Sequence, residues 1–249
     1  MAAEKPVIII VHGAWHSPVH YRKLIEPLRT QGYTVLAPTN ASVGIDDSIV
    51  GKTYIDDVKR IHEALLPHLD AGREAVMVCH SYGAIPGTAS LEGQTVEERA
   101  ARGLKGGVKE VLYYAAVAIP QRGMSLHTLE RFNWPEWHRQ EGELRLLTPQ
   151  SEEIFYNDLP VEERRQIVAS LLSQSQASLV TEAHYAPCDL KIPKTYVVCS
   201  QDKCIPPPSQ LLMAQAAGAK VVEFDCGHSP HAKDAESAEL VKLTVDMAA

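Results

Sequence analysis

Val76-Met77-Val78-Cys79-His80-Ser81-Tyr82-Gly83-Ala84 runs from an apolar, strand-like stretch into small residues and then a helix-forming segment. Similar short apolar runs recur on both sides of it: Val7 to Val11, Thr34 to Ala37, Ala75 to Cys79, Val111 to Ala115, Thr195 to Cys199 and Val221 to Phe224. Most are rich in Val, Ile or Tyr, as expected of strands buried on both faces. Between them, Tyr21 to Gln31, Tyr54 to Leu69, Ser209 to Ala217 and Ala235 to Met247 carry apolar residues at helical spacing, and Gly32, Gly72 and Gly218 stand where helices should stop. The alternation predicts an α/β fold, a mostly parallel central sheet with helices on both faces.

One interval breaks the rhythm. From Pro120 to about Asp189 there is no strand-like run, and the segment is rich in charge, proline and aromatics. It reads as an inserted helical cap, with a helix predicted over Glu162 to Gln176, on a single domain whose core is 1–119 and 190–249. Phe132, Trp134, Trp137, Phe155 and Tyr156 either hold this cap together or line a substrate pocket. Trp15, His16, Trp134, Trp137 and Phe155 are the pocket candidates.

With 249 residues the chain has enough material for one substantial core. Its net charge of -7 disfavours a phosphate backbone as partner, so no nucleic acid is expected. No stretch of ~18 apolar residues occurs, so no membrane span is expected and the chain reads as soluble and cytoplasmic. The five cysteines (Cys79, Cys188, Cys199, Cys204, Cys226) are odd in number and lack C-x-x-C spacing, which suggests reduced thiols, mostly buried. Asn40-Ala41-Ser42 matches a glycosylation sequon, read as chance in a chain without a secretory signal.

Ser81 stands at a strand-to-helix turn, where a serine can be presented on strained backbone if its neighbours are small. Gly83 meets that need, whereas Cys79 occupies the place of the first glycine in G-x-S-x-G. The strand Thr195 to Cys199 ends in Ser200-Gln201-Asp202, and the next ends in Asp225-Cys226-Gly227-His228. Functional groups of open α/β sheets gather outside the carboxyl ends of strands, so Ser81, Asp202 and His228 should converge. A serine hydroxyl needs an imidazole to take its proton, and the imidazole needs a carboxylate to fix its tautomer. His231 rivals His228 as base and Asp225 rivals Asp202 as acid. The glycine before His228 and the place of Asp225 ahead of the histidine loop favour the first assignment. After Val7 to Val11 comes His12-Gly13-Ala14-Trp15-His16, whose Ala14 N–H, with that of Tyr82, would form an oxyanion hole. The remaining histidines, His16 and His80 apart, read as surface or cap residues. No H-x-H, H-E-x-x-H or paired cysteines point to a metal.

These segments resemble an α/β-hydrolase branch that contains plant methyl-ketone and methyl-ester esterases, hydroxynitrile lyases and many fungal and bacterial hydrolases. The resemblance spans nearly the whole chain. Val11-His12-Gly13-Ala14-Trp15-His16 is similar to the family's oxyanion loop, Ala37-Pro38-Thr39-Asn40-Ala41-Ser42-Val43-Gly44 to its post-strand loop and Cys79-His80-Ser81-Tyr82-Gly83 to its elbow. Cys199-Ser200-Gln201-Asp202 and Gly227-His228-Ser229-Pro230 are similar to the acid and base loops, and Phe155-Tyr156-Asn157-Asp158-Leu159-Pro160 to a cap segment of fungal and bacterial members. Hydroxynitrile lyases of the branch carry a lysine after the catalytic histidine and a threonine in the oxyanion loop, whereas Ser229 and Ala14 stand here, which argues against cyanohydrin cleavage. The expectation is a serine hydrolase of esterase or lactonase type, cleaving a small-molecule carboxylic ester or lactone without a cofactor. The alternative is a non-hydrolytic member of the fold: a small-molecule receptor, a lyase or a cofactor-free biosynthetic enzyme. A homodimer is left open.

Overall fold

The computed structural model describes residues 4–129 and 136–249. Among them ten strands occur in chain order: β1 (Val7–Val11), β2 (Val35–Leu36), β3 (Val43–Gly44), β4 (Glu74–His80), β5 (Gly107–Tyr114), β6 (His138–Glu141), β7 (Leu144–Leu147), β8 (Ser173–Ser175), β9 (Lys194–Cys199) and β10 (Lys220–Phe224). The α-helices are α1 (Arg22–Thr30), α2 (Tyr54–Asp70), α3 (Ala84–Ala89), α4 (Val96–Ala101), α5 (Leu126–Leu129), α6 (Ser151–Phe155), α7 (Val161–Val168), α8 (Gln176–Val180), α9 (Pro207–Ala217) and α10 (Asp234–Ala248). No helix among the described residues is long and apolar enough to cross a membrane.

Six strands form a wholly parallel sheet in the order β10-β9-β5-β4-β1-β2. Period-two alternation divides its side chains between two cores. Val7, Ile9 and Val11 of β1 and Ala75, Met77 and Cys79 of β4 join Ile61 and Leu65 of α2 and Met213 of α9 on one face. Ile8, Ile10, Val76 and Val78 join Leu24 and Leu28 of α1 and Leu240 and Val241 of α10 on the other. Where both faces are covered, as along β1 and from Ala75 to Cys79 of β4, the strands read in sequence as unbroken apolar runs. Every strand predicted for this sheet is present. The second shortens to Val35–Leu36, and β5 begins at Gly107 and stops before Ala115, whose φ of 42° turns the chain out of the sheet. The helix-stop glycines Gly32, Gly72 and Gly218 take φ of 84°, 91° and 63°, a left-handed conformation that costs other residues more.

From β1 the chain moves outward to β2, returns to place β4 on the other side of β1, and then proceeds through β5, β9 and β10. At such a reversal the loops leaving two neighbouring strands diverge and open a crevice. Val11 pairs with Cys79, so His12–His16 and Ser81 leave the sheet side by side.

The segment 120–189 corrects the expectation of a helical cap without strands. β6, β7 and β8 pair antiparallel, together with β3, in the order β3-β8-β7-β6. The sequences His138-Arg139-Gln140-Glu141 and Ser173-Gln174-Ser175 are too polar to show as apolar runs. What specifies β6 and β7 is a two-residue hairpin loop in which Gly142 takes φ of 59°. The helix predicted over 162–176 stops at Val168, and β8 occupies its far end. Since β3 precedes the segment in the chain, its pairing with β8 ties the insertion to the core.

Candidate active site

Ser81 sits at φ of 51°, the left-handed region that a side-chain-bearing residue occupies only when its surroundings hold it there. Those surroundings are glycines. A Cβ on Gly83 would lie 2.6 Å from the His12 carbonyl oxygen, and one on Gly13 3.1 Å from the Ser81 Cβ, so the loop after β1 and the turn after β4 meet backbone to backbone. The departure at Cys79 is accommodated one helical turn on. Its thiol fills the space that a Cβ on Gly87 of α3 would need, so the strand and helix still approach closely.

The His228 Nε2 lies 3.1 Å from the Ser81 Oγ, and its Nδ1 lies 2.9 Å from the Asp202 Oδ2. The Asp202 carboxylate, which is buried, accepts three further hydrogen bonds: from the Cys204 N–H at 2.7 Å, the Ile205 N–H at 2.9 Å and the Gln210 side-chain amide at 2.9 Å. Gln210, on α9, also spans Cys199 N–H and Ile205 carbonyl, which fixes the turn that carries Asp202. The rivals are not brought together with Ser81. Asp225 is exposed and accepts from Ser200 and Gln201 side chains. His231 is buried with its ring stacked on Tyr21 at 4.2 Å, and among the described residues neither ring nitrogen has a hydrogen-bond partner.

The reading of His231 as a surface or cap residue is corrected here. His12, His16, His80 and His231 are all buried beside the site. Burial holds each of them well below the usual imidazole range, His12 at about 4. They are therefore neutral, and their partners set their tautomers. His80 donates from Nε2 to the His228 carbonyl at 3.0 Å and accepts at Nδ1 from the Tyr21 hydroxyl at 2.7 Å, which itself accepts the Gly13 N–H at 2.8 Å. One relay of hydrogen bonds thus joins the loop after β1, the residue before Ser81 and the main chain of His228. His16 donates from Nδ1 to the Ala14 carbonyl at 2.7 Å and accepts from the Tyr156 hydroxyl at 2.7 Å. His12 joins Asn40, whose N–H donates to Nε2 at 3.0 Å. This burial of Asn40 agrees with reading its sequon as chance.

In the loop after β1, the Gly13 N–H goes to Tyr21 and the Trp15 N–H to the Gln174 side chain at 3.1 Å. Ala14 faces the same cavity as Ser81 and Tyr82, and its N–H has no acceptor among the described residues. The Tyr82 side chain points away from the cavity chemistry: its hydroxyl donates to Asp57 Oδ2 at 2.6 Å. Asp57, buried at the start of α2, also accepts the N–H and hydroxyl of Ser42 at 2.8 and 2.7 Å. Burial outweighs these donors and raises its carboxyl to about 6. Gln174 of β8 donates to the same Ser42 hydroxyl at 2.8 Å. Sequence reasoning missed Asp57, since Asp56-Asp57 looks like ordinary acidic residues in a helix's first turn, and it missed Gln210 and Gln174 for want of any motif.

The cavity at Ser81 measures about 290 Å³. Four expected pocket residues line it: Trp15, His16, Trp137 and Phe155. Trp134 and Phe132 lie outside the described residues. The remaining described wall is mostly apolar, including Leu126, Leu129, Ile205, Leu212 and Met213, and among the described residues no Asp, Glu, Lys or Arg contributes. Phe155 stacks on the His228 ring at 5.5 Å. No group of three His, Cys, Asp or Glu side chains suited to a metal ion occurs among the described residues.

Residues 8–242 match the model of the alpha/beta hydrolase family. Among curated proteins, "Alpha/beta hydrolase nvfD" of Aspergillus novofumigatus is 32% identical over 91% of this chain and 90% of its own length. "Probable hydrolase R7" of a Phoma species is 28% identical over 91% of this chain and 92% of its own. Among solved structures, polyneuridine aldehyde esterase superposes with a TM-score of 0.76 at 18% identity, covering 98% of this chain and 100% of that one. Sequence match and superposition both run the length of the sheet that carries Ser81, Asp202 and His228, and the chain belongs to the alpha/beta hydrolase family.

Proposed function

We propose that the protein hydrolyses small, uncharged carboxylic esters or lactones through an acyl-enzyme on Ser81. The observation that carries this reading is the unbroken hydrogen-bonded series Ser81–His228–Asp202 opening into the apolar cavity. As Ser81 Oγ attacks the carbonyl carbon, its proton passes to His228 Nε2. Asp202 then faces an imidazolium, which it stabilises through Nδ1–H. The carbonyl oxygen gains its charge next to the Ala14 and Tyr82 N–H groups, and one such donor is typically worth ~3 kcal/mol in the transition state. Collapse returns the proton from Nε2 to the departing alkoxide. A water, deprotonated by the same nitrogen, then releases the acid and frees Ser81.

The wall of the cavity supports the choice of substrate. With no ionised Asp, Glu, Lys or Arg among the described lining residues to pair with, a charged acyl or alcohol group would lose its hydration uncompensated, whereas an apolar one gains from burial. The volume, at the lower end of ligand pockets, favours short substrates.

A panel of p-nitrophenyl esters and lactones of graded length tests the reading, with Ser81→Ala and a fluorophosphonate probe as controls. Turnover of short neutral esters and probe labelling of Ser81 are expected, both abolished in Ser81→Ala. Turnover retained by Ser81→Ala would refute the nucleophile. Ligand-induced stabilisation without labelling or turnover would favour a binding protein instead.

A further inference from the structure

Four consecutive residues of the inserted segment reach three loops around Ser81, those after β1, β9 and β10. Phe155 stacks on the His228 ring at 5.5 Å. Tyr156 donates to His16 in the loop after β1 at 2.7 Å. Asn157 donates from Nδ2 to the Gln201 carbonyl at 3.0 Å, and Asp158 Oδ2 accepts the Gly227 N–H at 2.8 Å. Gln201 and Gly227 immediately precede Asp202 and His228. We propose that Asn157 and Asp158 are positioning residues that hold the acid and base loops in register with Ser81, a role that rests on the hydrolytic reading above.

The geometry is specific to these side chains. A Cβ on Gly227 would lie 2.8 Å from the Asp158 Oδ1, so glycine at 227 is what lets the carboxylate reach the main chain. The residue carrying the base is then pinned on both sides, by Asp158 through the preceding N–H and by His80 through its own carbonyl. The second bond comes from the sheet and the first from the insertion. Asp158 also pairs with Lys233 at 3.0 Å, and Lys233 pairs in turn with Glu236. That ion pair is partly exposed, so the main-chain bond, and not the charge pair, aligns His228. Neither Asn157 nor Asp158 lines the cavity, so they act through the loops and not on substrate.

The test compares Asp158→Ala, Asp158→Asn, Asn157→Ala and Lys233→Met on a short p-nitrophenyl ester and in the rate of phosphonylation by a fluorophosphonate. Displacing a reacting group by ~1 Å costs about a hundredfold. Asp158→Ala should therefore lose ~10- to 100-fold in kcat and in phosphonylation rate with KM within about threefold, since ground-state binding is untouched. Asp158→Asn keeps an acceptor oxygen for Gly227 and should recover most of the loss, while Lys233→Met stays near wild type. Should Asp158→Ala fail to fold, Asn157→Ala carries the same test with a loss of ~10-fold. Wild-type kcat in Asp158→Ala and Asn157→Ala, or an equal loss in Lys233→Met, would overturn the proposal. If the wild-type protein itself neither labels nor cleaves esters, the hydrolytic reading fails separately. The positioning claim is then read from the downfield imidazole N–H proton that His228 shares with Asp202, visible by NMR without turnover. It is expected in wild type and Asp158→Asn and lost in Asp158→Ala, and its persistence there would overturn the claim.

Discussion

Two buried carboxylates reach the neighbourhood of Ser81, Asp202 through His228 and Asp57 through Tyr82, and their surroundings differ in kind. Asp202 accepts four hydrogen bonds, two from the main chain of its own turn, one from Gln210 and one from His228. Asp57 accepts from the Tyr82 hydroxyl, the Ser42 hydroxyl and N–H and the Ala41 main chain, yet its burial outweighs these donors and its carboxyl rises to about 6. The difference teaches what each is built for. A carboxylate that must face a transient imidazolium is held by the main chain of its own turn. One that braces Tyr82 and the Ser42 loop needs only acceptor oxygens, and tolerates a proton.

Breaking the acid side should have the largest effect. Asp202→Asn keeps the shape and removes the charge and the preferred tautomer, so kcat on a short ester should fall by ~10⁴-fold with little change in melting temperature. Wild-type-like kcat there would mean that the pair is only structural.

The elbow side should show itself in stability as a function of pH. Asp57 has a folded pKa of about 6 against an unfolded value of about 3.9, so its contribution is present below the lower value and lost as pH rises to the upper one. The buried histidines act in the opposite sense. His12, at about 4 when folded against about 6.5 unfolded, contributes stability above the upper value that is lost as pH falls towards the lower one. His16, His80 and His231 are depressed in the same direction. With His20 and His138, the latter at about 4, depressed as well, six histidines oppose Asp57, so the wild-type melting temperature should rise between about pH 4 and pH 6.5. Asp57→Asn lacks the aspartate's contribution, and its stability relative to wild type should improve by up to ~3 kcal/mol between pH 4 and pH 7. A pH-independent difference in melting temperature would remove Asp57 from this account.

Smaller effects sharpen the same comparison. Tyr82→Phe deprives Asp57 of its shortest donor, and leaving a buried acceptor short of a partner should cost ~1–3 kcal/mol in denaturant unfolding while Ser81 still labels. Gly87→Ala drives a methyl into the Cys79 thiol, an overpacking worth ~1–3 kcal/mol. Cys79→Gly should recover much of that loss in the double variant, and additive effects would show that the two positions do not pair as described.

The parallel core was legible because strands buried on both faces must be apolar throughout, and Val7–Val11 and the residues leading to Ser81 are so. Ser81, Asp202 and His228 were legible for a related reason: each follows directly on such a strand, so locating the strand locates the residue. β6 and β8 were not legible. His138-Arg139-Gln140-Glu141 and Ser173-Gln174-Ser175 owe their strand state to antiparallel partners and to the turn at Gly142, and carry no pattern of their own. His231 looked like a surface residue because its burial comes from Tyr21 and His80, which lie far from it in the chain.

The sequence by itself determined the order of the parallel core's strands along the chain and the side chains standing at their ends, since hydrophobic periodicity and turn residues act over a few neighbours. Only the tertiary structure decided which buried polar groups meet. Asp57 with Tyr82, Gln174 with Ser42 and Asp158 with Gly227 are pairings between distant parts of the chain. A hydrogen bond of that range leaves no local trace, because what selects its two ends is a shared absence of water that exists only once the chain has folded.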